Sequence, residues 1–273
     1  MRLLLESKGI ASHAVHNAFV KGGLESFLWN NDEAGIIDVY DQVKPDIIII
    51  NSQCKADQCN ALQSLEPSAR FIFMGDWDNR FPKPILSLSN TSSDTFPTIP
   101  LPERIFDTSM IVNSFFDNKV ACQISMFTDM INDNFLNSNT EVINMLISMG
   151  VRMFGNVKIP VPNYLGAVDH ELKSKIIVSS DICIDLTGDM WETIALSNGV
   201  VLSTKSPLEE FSFKDTGALN QKIQQFLKSR PNTSSLKMLA MERSGISLCI
   251  ELFRFLQAQP LVENFIKMRQ SFV

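Results

Sequence analysis

The amino-acid sequence predicts an α/β protein built from two Rossmann-like lobes with parallel sheets. Three observations carry that prediction. Strand and helix signals alternate through residues 2–74, the run Asp46–Asn51 (DIIIIN) sets four isoleucines in succession, and the alternation restarts beyond a Pro- and Ser-rich stretch at residues 75–105. A β-branched run that is apolar on both faces suits a central parallel strand, and strand–helix–strand order favours parallel crossovers.

The elements follow in order. Arg2–Leu5 reads as a buried first strand; Ser12 is placed as the cap of a helix that Gly22 and Gly23 stop. Ser26–Trp29 is the second strand, Glu33–Val43 an amphipathic helix ending before Pro45, Asp46–Asn51 the third strand, Ala56–Leu65 a short helix and Arg70–Met74 the fourth strand. In the Pro-rich stretch only Ile85–Leu88 has strand character, the rest being irregular connection. The second series begins with Val120–Phe127, followed by a helix capped by Thr140 and ended at Gly150, where a left-handed residue is wanted. Val151–Phe154 is a strand, Asp169 caps a helix to Val178, Asp181–Leu186 is a strand, Met190–Ser197 a helix broken by Gly199, and Val200–Ser203 a strand. Asp215–Lys228 and the long segment Ser234–Gln257 are helical, Pro260 interrupts, and Leu261–Gln270 forms a last helix. The expected domains are residues 1–115, residues 116–257, and a C-terminal helix in 258–273 that returns to the N-terminal lobe.

Composition narrows the function. Of 273 residues, 45% are hydrophobic and 20% charged, an ordinary globular balance. No apolar run is long enough to span a membrane, and the start MRLLLESKGI is too charged for a secretion signal. The net charge of −6 weighs against broad nucleic-acid affinity while leaving room for a local basic groove. Five cysteines (Cys54, Cys59, Cys122, Cys183, Cys249), an odd number with no secretion signal, point to a reducing compartment, the cytoplasm (the host's, for a viral protein), and Cys54 and Cys59 have no Cys or His at zinc-like spacing, so no metal site is certain.

Ligands of parallel sheets bind beyond the carboxyl ends of the strands, so the residues just after each strand are the candidates. After Met74 comes GDWDNRFP, with Asp76 and Asp78 at a strand's carboxyl end, where a carboxylate can act as general base; Gly, Asp and Asn also simply form turns. In MFGNV, Gly155 allows close backbone approach to a base or ribose, or makes a turn. Thr187 and Gly188 lead into a helix N-terminus suited to a phosphate, and Glu192 in its first turn can accept ribose hydroxyls or stabilise the helix. His13, which follows the first strand, is a candidate for the cleft, as are Asp78, Arg80, Ser125 and Lys158. Neither GxGxxG nor a Walker A sequence occurs.

Taken together, DIIIINSQ, FIFMGDWDNRFP, MFGN and WETIA, in this order, resemble the GT-B glycosyltransferases, in particular the T-even phage DNA β-glucosyltransferases and the CgeB-like enzymes. That resemblance implies two lobes facing across a cleft and a nucleotide-sugar donor, a UDP-sugar. It implies Asp76 as catalytic base and Glu192 as ribose ligand, with Phe154, Gly155 and Asn156 and the segment Gly166–Val168 lining the nucleotide pocket beside Thr187, Gly188 and Asp189. The phage likeness implies an acceptor in modified DNA, a hydroxymethylated pyrimidine flipped from the duplex.

One departure stands out. Asp189 occupies the position of a phosphate-binding arginine, and Ser125–Asn134 has no Lys or Arg. A diphosphate facing carboxylates alone would be repelled. The cation could come from Lys158, Arg80 or Lys205, or from a divalent metal bridging Asp189 or Asp129 to phosphate. Otherwise the chain has given up such a donor and binds a partner or ligand without catalysis. A third reading is an epimerase-like enzyme acting on a sugar nucleotide without an acceptor.

Overall fold

The computed structural model describes residues 1–8, 10–101, 105, 123–128, 137–155, 158, 160–186, 191–197 and 199–272. The chain divides into two compact units, Met1–Ser109 with Met241–Val273, and Met110–Ala240. Residues 241–257, expected with the second lobe, thus belong to the first.

The first unit holds a six-stranded parallel sheet. Its strands are β1 (Arg2–Glu6), β2 (Glu25–Trp29), β3 (Ile47–Asn51), β4 (Phe71–Met74), β5 (Leu86–Leu88) and β6 (Thr98–Ile99), in the order β2-β1-β3-β4-β5-β6. The isoleucines of β3 are buried on both faces, as their position inside the sheet demands. Leu3 pairs with Ile47 and Leu5 with Ile49, while Ile48 pairs with Phe71. Leu4, Ile48, Ile50, Phe71 and Phe73 share one face and pack with residues of α2 (Ile36–Val43) and α3 (Ala56–Leu65), including Ile36, Cys59 and Leu62. The helix α1 (Ile10–Lys21) packs instead on the returning C-terminal helices: Phe19 lies 5.8 Å from Phe253, which stacks on Phe265 at 5.4 Å.

The second unit holds a four-stranded parallel sheet of β7 (Ile124–Phe127), β8 (Arg152–Phe154), β9 (Ile182–Asp185) and β10 (Val200–Ser203), in the order β10-β9-β7-β8. Its helices are α4 (Thr140–Ser148), α5 (His170–Ser179), α6 (Trp191–Leu196), α7 (Thr216–Lys228) and α8 (Ser234–Met241), the last reaching the unit boundary. The helices α9 (Gly245–Phe255) and α10 (Gln259–Gln270) complete the first unit.

Several local expectations need correction. Ser12 lies inside α1 and hydrogen-bonds back to the Lys8 carbonyl (3.4 Å), so it is no cap. Thr140 is the first residue of α4 rather than its cap, and α2 begins at Ile36, after Gly35. The strand β6 falls within the stretch expected to be irregular, because two residues carry no periodic signal. The segment 234–257 is two helices, because the Ser244 hydroxyl accepts from Ser247 N–H (3.3 Å) and starts a new one. Pro260 stands in the first turn of α10 and starts that helix rather than interrupting one. Asp169 does cap α5, accepting from Leu172 N–H at 2.7 Å, and Gly150 takes φ +73° after α4.

Candidate functional site

In the second sheet the strand order reverses between β7 and β9. The crevice of a doubly wound sheet opens at such a switch point, beyond the carboxyl ends of the two strands. The segments leaving that point are residues 128 onward and residues 186 onward, the latter leading into α6 with Glu192 in its first turn. Asn156, Thr187, Gly188, Asp189 and Asp129 lie outside the described residues.

Phe154 ends β8, is buried, and packs with Ile176, Phe127 and Val168. Gly155 takes φ +134°, which only glycine tolerates well, but its N–H is engaged by the Gly166 carbonyl (3.0 Å) and its carbonyl by the Tyr164 hydroxyl (2.6 Å). Those two backbone groups therefore shape the loop rather than wait for a ligand. Ser125 is fully buried, accepts from the Ser180 hydroxyl (2.8 Å) and donates to Cys183 Sγ (3.5 Å). The expectation that it lines a cleft is corrected: its side chain points into the sheet–helix core. Lys158 is exposed, and Lys205 is exposed two residues beyond the end of β10.

One cation escaped the sequence reading. Lys173, the fourth residue of α5, sets its Nζ 5.2 Å from the centre of the Phe127 ring. Phe127 is the last residue of β7, so this cation stands at the carboxyl end of one of the two strands that bound the switch point, held partly by the ring's quadrupole. The only sequence signal was its spacing of three and four from the buried Ile176 and Ile177, which puts it on the sheet-facing side of the helix. The Ser203 hydroxyl donates to Asp185 (2.9 Å), tying the carboxyl ends of β10 and β9 together.

In the first sheet the switch point lies between β1 and β3, and the protein fills it itself. The buried carboxylate of Glu6 accepts from Lys8 N–H (2.8 Å), Asn31 Nδ2 (2.9 Å) and Asn51 Nδ2 (2.8 Å). Lys8 is in turn paired with Asp32 at 2.7 Å. His13 lies on the exposed face of α1, the helix after β1, and β3 separates that strand from β4.

Open space appears instead at the end of β4. A cavity of about 170 Å³ is lined by Asp76, Trp77, Thr91, Ser92, Ser93 and Phe96. Gly75, at φ +109°, turns the chain out of β4 while its N–H bonds the Leu88 carbonyl (2.9 Å). The next residue, Asp76, accepts a short hydrogen bond from the Ser89 hydroxyl. The hydroxyls of Ser89 and Thr91 hold its carboxyl below the usual carboxylate range. Asp78 and Arg80 pair with each other at 2.7 Å, and that ion pair lowers the Asp78 carboxyl and raises the Arg80 guanidinium. Arg80 is thus engaged locally. Among the described residues no group of three His, Cys, Asp or Glu side chains is placed to hold a metal ion, and no helix is long and apolar enough to cross a membrane.

By sequence, no family profile and no curated protein matches the chain. By structure, it is similar to a Listeria monocytogenes protein assigned as a UDP-N-acetylglucosamine 2-epimerase (TM-score 0.53, 10% identity, 94% of this chain and 97% of that one). It is also similar to HepE of Anabaena, solved with UDP and glucose (TM-score 0.52, 10% identity, 94% and 99%). At such identity these likenesses establish the fold: two parallel-sheet α/β domains of the GT-B type.

Proposed function

We propose that the chain is a glycosyltransferase that moves a sugar from a nucleoside-diphosphate donor, a UDP-sugar, to an acceptor hydroxyl. The observation that carries this reading is the second sheet's switch point between β7 and β9, from which the chain runs on to the Glu192 helix, with Lys173 over Phe127 at the end of β7. Glu192 would accept the ribose hydroxyls, and Lys173 would supply the positive charge for the diphosphate that the missing arginines do not. Phe154 and Val168 would form the apolar wall of the base pocket.

Asp76 would serve as general base. Held ionised by Ser89 and Thr91, it is ready to accept a proton across the neutral range. The acceptor oxygen forms a bond to the anomeric carbon, the acceptor's proton passes to Asp76, and the anomeric carbon–oxygen bond breaks with its electron pair leaving on the nucleoside diphosphate. A hydroxymethylated pyrimidine in DNA is the acceptor that the phage resemblance implies; neither structural relative supports it.

Two rivals have specific support. Binding without transfer is favoured by Asp189 in place of an arginine and by the capture of Arg80 by Asp78. An epimerase-like reaction draws on the likeness to the Listeria protein and would proceed without any acceptor.

The test is thermal-shift binding of UDP, GDP, TDP and their sugar conjugates, with and without magnesium or manganese. A ligand at 100 times its dissociation constant stabilises by about 2.7 kcal/mol. A shift with one nucleotide is expected. A shift that requires the metal would assign the phosphate charge to a bridging ion rather than to Lys173. No shift with any nucleotide would leave the binding-only reading.

A further inference from the structure

Resting on the reading of Asp76 as the base, we infer that the cavity beside it receives a neutral, polyhydroxylated single ring, so that the acceptor is a sugar hydroxyl and not a nucleic acid. Size comes first. At about 170 Å³ the cavity is well below the roughly 300 Å³ at which pockets for drug-sized ligands begin, and it suits one ring.

Its walls differ in kind. Of the lining residues, Trp77 and Phe96 meet edge to face, ring centres 5.3 Å apart, and the Trp77 indole is fixed by its Nε1–H donating to the Pro82 carbonyl (3.1 Å). This rigid aromatic wall matches the C–H face of a pyranose. The lining also includes Thr91, Ser92 and Ser93, whose hydroxyl oxygens can accept from sugar hydroxyls, with Ser92 able to donate as well. Ser93 is ordered by a hydrogen bond to Thr95 (2.9 Å), and its oxygen accepts from Thr95 N–H (3.2 Å).

Charge decides between acceptors. Among the described residues lining the cavity, the ionised group is the Asp76 carboxylate, and none is Lys or Arg. A nucleic acid needs cations along its phosphates, and the neighbouring Arg80 is held by Asp78. A neutral sugar meets no such penalty. When its hydroxyl faces Asp76, oxygen attacks the donor's anomeric carbon, the proton moves to the carboxylate, and the nucleoside diphosphate departs with the bonding electrons.

The experiment is saturation-transfer NMR and calorimetric titration of the full chain, without donor. The probes are methyl β-D-glucopyranoside, methyl α-D-mannopyranoside, N-acetylglucosamine and a hydroxymethylcytosine-containing duplex. The expected result is binding of at least one sugar that does not change with salt and weakens about tenfold in Ser92→Ala/Ser93→Ala, while UDP affinity stays unchanged. Binding of the duplex alone, with steep salt dependence, would overturn the proposal in favour of nucleic acid. Binding of no probe, or sugar binding indifferent to the serine changes, would also overturn it. The base reading is scored separately: Asp76→Asn should still bind the sugar yet lose transfer. A fully active Asp76→Asn enzyme sinks the base and leaves the sugar site standing, whereas a wild type that binds none of the sugars, with an Asp76→Asn enzyme that has lost transfer, sinks the sugar site and leaves the base standing.

Discussion

Ser89 donates its hydroxyl to the carboxylate of Asp76 across thirteen residues of sequence, because β5 runs beside β4 and both chain ends emerge at the same edge of the sheet. This bond is the largest cause of the lowered Asp76 carboxyl, with Thr91 second. Ser89→Ala should therefore raise the Asp76 carboxyl toward its ordinary value. Transfer needs the ionised form, so the acid limb of the kcat/KM profile should move to higher pH. A profile identical to that of the wild type would show that another group sets that limb.

Asp76→Ala should reduce transfer by about 10²–10⁴-fold, the range typical for loss of a general base. Donor affinity should not change, since the residues proposed for the donor belong to the other unit. Steady-state rates with a titration of UDP on the same variant check both halves.

Glu192→Ala should weaken nucleotide binding by about 1.5–3 kcal/mol if its carboxylate holds the ribose by charge-assisted bonds. The matching comparison is UDP against a 2′,3′-dideoxy analogue, which should lose the same amount in the wild type and nothing further in the variant. Equal UDP affinity in variant and wild type would remove Glu192 from the site.

Lys173→Met keeps the packing length of the side chain and removes its charge. Affinity for UDP should fall by about 1.5–3 kcal/mol while affinity for uridine is nearly unchanged, as expected of a cation that meets phosphate. A parallel loss for both ligands would instead assign Lys173 a structural role over Phe127, where a cation–π contact contributes about 0.5–1 kcal/mol.

Gly245→Ala tests how the returning C-terminal segment is held. A Cβ there would stand 2.6 Å from the Ala14 carbonyl oxygen of α1, so α9 would have to shift. A loss of about 1–3 kcal/mol in urea unfolding is expected. Glu6→Ala should cost a similar amount, about 1–3 kcal/mol, by leaving Asn31, Asn51 and Lys8 N–H without their buried acceptor.

The alternation of strands and helices, the isoleucine core of β3, the Asp169 cap and the glycines that end helices are all legible in the chain. So is the place of Asp76 just past β4. These are local matters: periodicity, caps and turn residues act within a few positions of one another, so a single stretch of chain reveals them. The tertiary structure alone decided what each candidate meets. Ser125 looks like a strand-end polar residue until the pairing of β7 with β9 turns it onto Cys183 and Ser180. Lys173 looks like a solvated helix lysine until α5 lies against the end of β7. Glu6, Asn31 and Asn51 are distant in sequence and close the first switch point only because β1 lies between β2 and β3. Strand order and the direction of each side chain from its strand or helix are collective properties of the packed sheet, and no local segment carries them.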